Sequence, residues 1–270
     1  MSLLFAGVVG YLLTRDGAVG QQALSILAQT IFIGTLAFVV AGLSEWNFRQ
    51  RFTAVLLMVF LGGFVNVAVE LTIFSVASST EIIAIVVLGA IVATVSATLA
   101  AWLFQVRALE KSGAKRLSDY FASRKPVNWV VRVAIGVAAY CLAYFIVGSL
   151  VYPFVEPYYL SDELGLTVPK LGLVMLVQCI RAPIYIAAVW LFVIGSSYTR
   201  KRTMLVTGIA LYVLGGLTPL LGAADWPTPL RIYHGVEIFF QNFTAGLIIA
   251  WLLLTQQRAG GDVGAVRVPE

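Results

Sequence analysis

The chain has a single histidine and two cysteines, and only 11% of its residues carry charge. One histidine cannot complete a common zinc site, and a carboxylate-rich iron site needs more buried acids than the apolar segments hold. His-Glu-x-x-His, Gly-x-x-x-x-Gly-Lys and Gly-x-Ser-x-Gly are missing. No segment carries a voltage-sensor arginine ladder, and the last apolar segment has no lysine to hold retinal. These gaps leave no metal or cofactor expected, and no catalytic motif to mark an enzyme.

Low charge excludes more. A soluble domain averages about one quarter charged residues. Here 60% of the residues are apolar, so too little polar side chain exists to face water on all sides. The surrounding solvent is lipid. The net charge of +5 does not indicate nucleic acid, because the basic residues sit in short loops between apolar runs. The longest polar stretch, 105–128, is too short for a core of its own. Residues 1–257 therefore read as one membrane-embedded domain, followed by a disordered tail, 258–270.

A helix needs about twenty apolar residues to cross the hydrocarbon core. Seven segments qualify, roughly 22–43, 52–77, 82–104, 129–152, 171–194, 203–222 and 234–254. They are expected to be helices, since in lipid a helix satisfies its own backbone. The fold class is an all-α, polytopic integral membrane protein, a bundle of about seven transmembrane helices. The opening stretch lacks the basic start and cleavage site of a signal peptide and is too short to span. Residues 1–21 are expected to be an interfacial segment. Cys141 and Cys179 lie inside apolar runs and read as small buried hydrophobes.

Lysine and arginine set the expected orientation. Arg49 and Arg51 fall in one loop; Arg107, Lys111, Lys115, Arg116, Arg124 and Lys125 in a second; Arg200, Lys201 and Arg202 in a third; Arg258 and Arg267 in the tail. The other side holds only Arg15, Lys170 and Arg231. The positive-inside rule then places the N-terminus outside and the C-terminus in the cytoplasm. Compactness and short loops suggest the inner membrane of a prokaryote. The basic loop 105–128 carries the positive-inside signature and, if the protein is a sensor or partner-binding module, would dock a cytoplasmic partner or anionic lipid. The outer loop 153–170 contains Pro153, Pro157 and Pro169, which are expected to forbid a continuous helix.

Ionisable groups within membrane spans are costly and mark function by default. Asn66 and Glu70 are four apart on the second segment, hence on one face. Gln178 and Arg181 share the fifth, just before Pro183, where a kink is expected. On the seventh, His234, Glu237 and Gln241 fall within about 60° of one another, with Arg231 about 60° to one side. Asn242 follows. Arg181 keeps its proton and needs a partner, so Glu70 or Glu237 is expected to pair with it. With Arg231 at the entrance, these groups predict a polar cavity in the outer half of the membrane. A small polar or anionic solute would bind there or cross. Two alternatives stand: a membrane sensor or partner-binding module, and an intramembrane lipid-modifying enzyme using His234 and Glu237. Gly62-Gly63 and Gly215-Gly216 hint at a parallel repeat of helices one to three and five to seven.

Overall fold

The computed structural model describes residues 17–42, 44, 46–73, 77–104, 112–161, 170–223 and 226–254. Expectations placed on 1–16, 105–111, 162–169 and 255–270 lie outside these residues. Among the described residues every regular element is a helix, and the one strand-like contact is an isolated bridge between Ser44 and Ser196. In chain order the helices are α1 (Gly17–Gly42), α2 (Phe48–Ile73), α3 (Ser79–Leu103), α4 (Ser112–Ala122), α5 (Pro126–Leu160), α6 (Leu171–Gly195), α7 (Arg200–Gly222) and α8 (Thr228–Leu253). All but α4 are long and apolar enough to cross a bilayer. The chain is thus a multi-pass helical membrane protein.

Local chemistry starts the helices where they begin. Asn47 Oδ1 accepts from Gln50 N–H at the head of α2. Ser78 and Glu81 form a reciprocal capping box at α3. Proline opens α5 and α8, where its missing N–H has no role. α6 is the central helix, packed against α2, α5, α7 and α8. Over its most apolar stretch 61% of residues are buried, against 17% for α3 and 11% for α5. The outer faces of α3 and α5 carry exposed Ile83, Leu88, Ile91, Ile135, Leu142 and Leu150, as lipid-facing surfaces should.

Two expectations are corrected. Residues 153–160 are not loop, because α5 runs through Pro153 and Pro157 to Leu160. A proline removes one backbone bond per site, and both rings lie on the exposed face, where they displace no packed neighbour. The opposite face, Val151 and Val155, is buried against Leu230 of α8, and that contact holds the helix together. At 35 residues α5 is about 52 Å long, longer than the hydrocarbon core. The described part of 105–128 is likewise not a plain loop. α4 is a short amphipathic helix whose Tyr120 and Leu117 pack on the core, and 126–128 already belong to α5.

Both glycine pairs lie in π turns. α2 and α7 each widen into a π turn at Leu-Gly-Gly, Phe60–Val65 and Val213–Leu217. Such turns are rare and concentrate at functional sites. The two π turns touch: a methyl on Gly62 would lie 3.4 Å from Leu214 Cδ1. Before each helix a serine hydroxyl accepts from the backbone N–H two residues on, Ser44 from Trp46 and Ser196 from Tyr198, both at 3.3 Å. These same serines form the bridge noted above. α2 and α7 thus share one local device, a π turn at Leu-Gly-Gly preceded by a serine turn.

Candidate functional site

Call the end of the bundle holding Gly42, Leu103, Gly195 and Leu253 the basic end, and the other the far end. Asn66 is the first residue of α2 after its π turn, and Glu70 lies one turn nearer the far end. α6 runs the opposite way and brings Arg181 between them. Arg181 Nη1 lies 3.0 Å from Glu70 Oε2. Arg181 Nε donates to Asn66 Oδ1 at 2.6 Å, and Nη2 to Tyr185 Oη at 3.3 Å. The expected partner for Arg181 is thus Glu70, not Glu237. The pair is uneven: the Arg181 side chain is 5% exposed and that of Glu70 35%.

Tyr185 ties this group to α7 and α8. Its hydroxyl sits against Gly215, where any side chain would overlap it. Beside Gly215 is Asn242 Nδ2, which donates to the Leu211 carbonyl at 3.3 Å. The absence of a side chain at Gly215 is what leaves room for both. The Tyr140 ring of α5 packs on Tyr185 with centroids 5.3 Å apart.

Around this ion pair several buried polar atoms have no hydrogen-bond partner among the described residues. They are Asn66 Nδ2, both amide atoms of Gln178, Tyr140 Oη and Asn242 Oδ1. All four side chains are fully enclosed. Buried polar groups are normally hydrogen-bonded, and leaving one unmade costs about 1–3 kcal/mol. Donors and acceptors are both present in the set.

The stripe on α8 forms a second group, toward the far end. His234 Nδ1 lies 3.0 Å from Glu237 Oε2. Tyr159 Oη of α5 lies 3.3 Å from His234 Nε2, and the Trp226 ring is 5.6 Å from the imidazole. The proline-bearing extension of α5 is what supplies Tyr159. Gly148 makes room for Glu237: a methyl there would come 3.2 Å from Oε1. Gln241 is buried one turn deeper. Arg231 turns back on its own helix start, donating to Thr228 Oγ1 at 3.4 Å. Tyr144 lies within Coulombic reach of Glu237, Glu70 and Arg181, so both groups border the same stretch of α5.

Sequence reasoning missed the tyrosines. Tyr185 is four residues past Arg181, and that spacing was a signal for a partner on the same helix face. Nothing local marks Tyr140, Tyr144 or Tyr159, which enter through packing. Arg51 was also missed as a buried group. It is 1% exposed, donates to the Ser44 and Phe104 carbonyls, and so fastens the ends of α1 and α3 at the basic end.

Comparison with models of known families, with curated proteins and with solved structures finds no match to this chain.

Proposed function

We propose that the protein binds a small polar solute inside the membrane and moves it across. The observation behind this reading is the set of enclosed, unpartnered polar atoms on Asn66, Gln178, Tyr140 and Asn242 beside the Glu70–Arg181 pair. Arg181 supplies positive charge, but Glu70 already balances it. A neutral polar solute therefore suits the site, and an anion would have to compete with Glu70. Gln178, Asn66 and Asn242 would hold the solute, with His234, Glu237, Gln241 and Arg231 lining its approach from the far end. The kink-prone Pro183 and the two π turns are the points where the helices can flex. By the bias of basic residues the far end faces outside and the C-terminus the cytoplasm, in the inner membrane of a prokaryote.

The test is solute flux into proteoliposomes after an osmotic jump, read by stopped-flow light scattering. The panel should span small neutral amides and polyols and small carboxylates. At least one is expected to enter faster than into protein-free vesicles, with the gain lost in Gln178→Leu and Asn242→Leu. If no member of the panel moves faster, or if both substitutions leave the flux intact, the reading fails.

A further inference from the structure

Where α4 meets α5, Arg124 and Arg132 flank one aromatic cluster, and among the described residues no acid pairs with either. α4 ends at Ala122, Ser123 Oγ donates to the Tyr120 carbonyl at 2.6 Å, and Pro126 opens α5. Trp129 Nε1 donates to the Phe121 carbonyl at 3.2 Å, and the Tyr120 and Trp129 rings lie 4.7 Å apart. On this aromatic floor the Arg124 guanidinium stands 5.3 Å from the Trp129 ring centre. Arg132, one turn along α5, donates to the Leu252 carbonyl, while Tyr120 Oη donates to that of Leu253 at 2.8 Å. Arg132 and Tyr120 thus hold adjacent carbonyls at the end of α8, and Arg124 lies over the Trp129 ring that packs on Tyr120.

Three features of this corner are uncompensated. Arg124 Nη1 is buried without a partner. Among the described residues neither arginine forms an ion pair, and Asp119, the nearest acid in the chain, lies on the exposed face of α4. No side chain caps the first N–H groups of α5. Burial lowers the pKa of Arg124, and the like charge of Arg132 lowers it further. Arginine does not respond by giving up its proton. Beside the corner Phe121, Val127, Val130 and Val131 are exposed, an apolar flank continuous with the lipid-facing side of α5.

We propose that the Arg124–Arg132 corner is a binding site for an anionic phosphate, and that its occupant is the headgroup of an anionic membrane lipid whose chains lie along Val127, Val130 and Val131. Free inorganic phosphate shares the headgroup chemistry but has no use for the apolar flank. The corner lies at the basic end, where the uncapped start of α5 adds favourable N–H groups for the anion. The site is independent of the solute reading.

The experiment is native mass spectrometry of the full chain, delipidated in mild detergent and titrated with phosphatidylglycerol or phosphatidylcholine. Wild type is expected to bind phosphatidylglycerol in preference. Arg124→Gln is expected to weaken that binding about fivefold, the worth of one basic residue at a membrane surface, with phosphatidylcholine unchanged. Arg124→Lys should retain most of it. Arg124 is the residue to change because its described contact is only the Trp129 ring, whereas Arg132 also holds the end of α8. Equal binding of the two lipids by wild type, or undiminished phosphatidylglycerol binding by Arg124→Gln, overturns the proposal. Displacement of phosphatidylglycerol by millimolar inorganic phosphate would assign the corner to the free ion and overturn the lipid occupant.

Discussion

The Glu70–Arg181 pair offers the sharpest test of the energetics. The perturbation is Glu70→Gln, which keeps an acceptor for Arg181 Nη1 and removes only the charge. At a separation of about 4 Å and an effective dielectric near 20, the attraction is about 4 kcal/mol. Glu70 is one-third exposed, so screening reduces this to about 2 kcal/mol. Arg181 is enclosed, and Glu70→Gln would leave it as an uncompensated buried charge. Arg181→Met removes that charge but strands Asn66 Oδ1, which is buried, at about 1–3 kcal/mol. The double substitution leaves neither charge. It should therefore cost no more than the worse single change, a coupling of about 2 kcal/mol. Equilibrium unfolding in mixed micelles, followed by far-ultraviolet circular dichroism, reads all three variants. Additive losses would show that the two groups do not act as a pair, and the electrostatic account of the site would fall.

Two further outcomes follow from packing. A methyl on Gly246 would lie 2.7 Å from Gly208 Cα and 2.9 Å from Thr207 O, both backbone atoms, whereas one on Gly34 meets nothing within 4 Å. Gly246→Ala should destabilise by about 1–3 kcal/mol through overpacking despite alanine's better helix propensity, while Gly34→Ala should be neutral or stabilising by up to about 1 kcal/mol; melting in detergent should move in these directions. Cys141 and Cys179 are free, with their sulfurs 3.9 Å apart across α5 and α6. Mild oxidation with copper phenanthroline should join them within one chain, seen as loss of both titratable thiols without a dimer on a non-reducing gel. Retention of both thiols would contradict the α5–α6 register.

Seven helices were legible because lipid admits few alternatives to them, and the apolar runs that form them are long. Asn66, Glu70, Gln178 and Arg181 were legible for the same reason, as polar groups in an apolar solvent. Their pairing was only half legible: two acids were available to Arg181, and periodicity on single helices does not rank contacts between helices. The continuation of α5 past Pro153 and Pro157 was hidden because the buried contact of Val151 and Val155 with Leu230 is made with a segment some 75 residues on. α4 was hidden in a polar stretch with no apolar run. The π turns left only a trace, the paired glycines, which are also common in ordinary close helix packing.

The two Leu-Gly-Gly π turns bear on whether the ion pair is required by the helix packing. Aligning Gly62 with Gly215, the register that also aligns Gly42 with Gly195, sets Asn66 against Pro219 and Glu70 against Ala223. The same register sets Arg181 against Ala28 and Gln178 against Ser25. The Leu-Gly-Gly π turn is thus present twice, but the charged pair stands beside only one of them. The half made of α1 and the π turn of α7 packs without it. There, Thr218 Oγ1 donates to the Leu214 carbonyl and Ser25 Oγ to that of Leu221. A buried ion pair is in any case a poor source of net stability. A fastener required by the π turn would be required beside both turns, so the single placement of Glu70 and Arg181 is not explained by the π turns themselves.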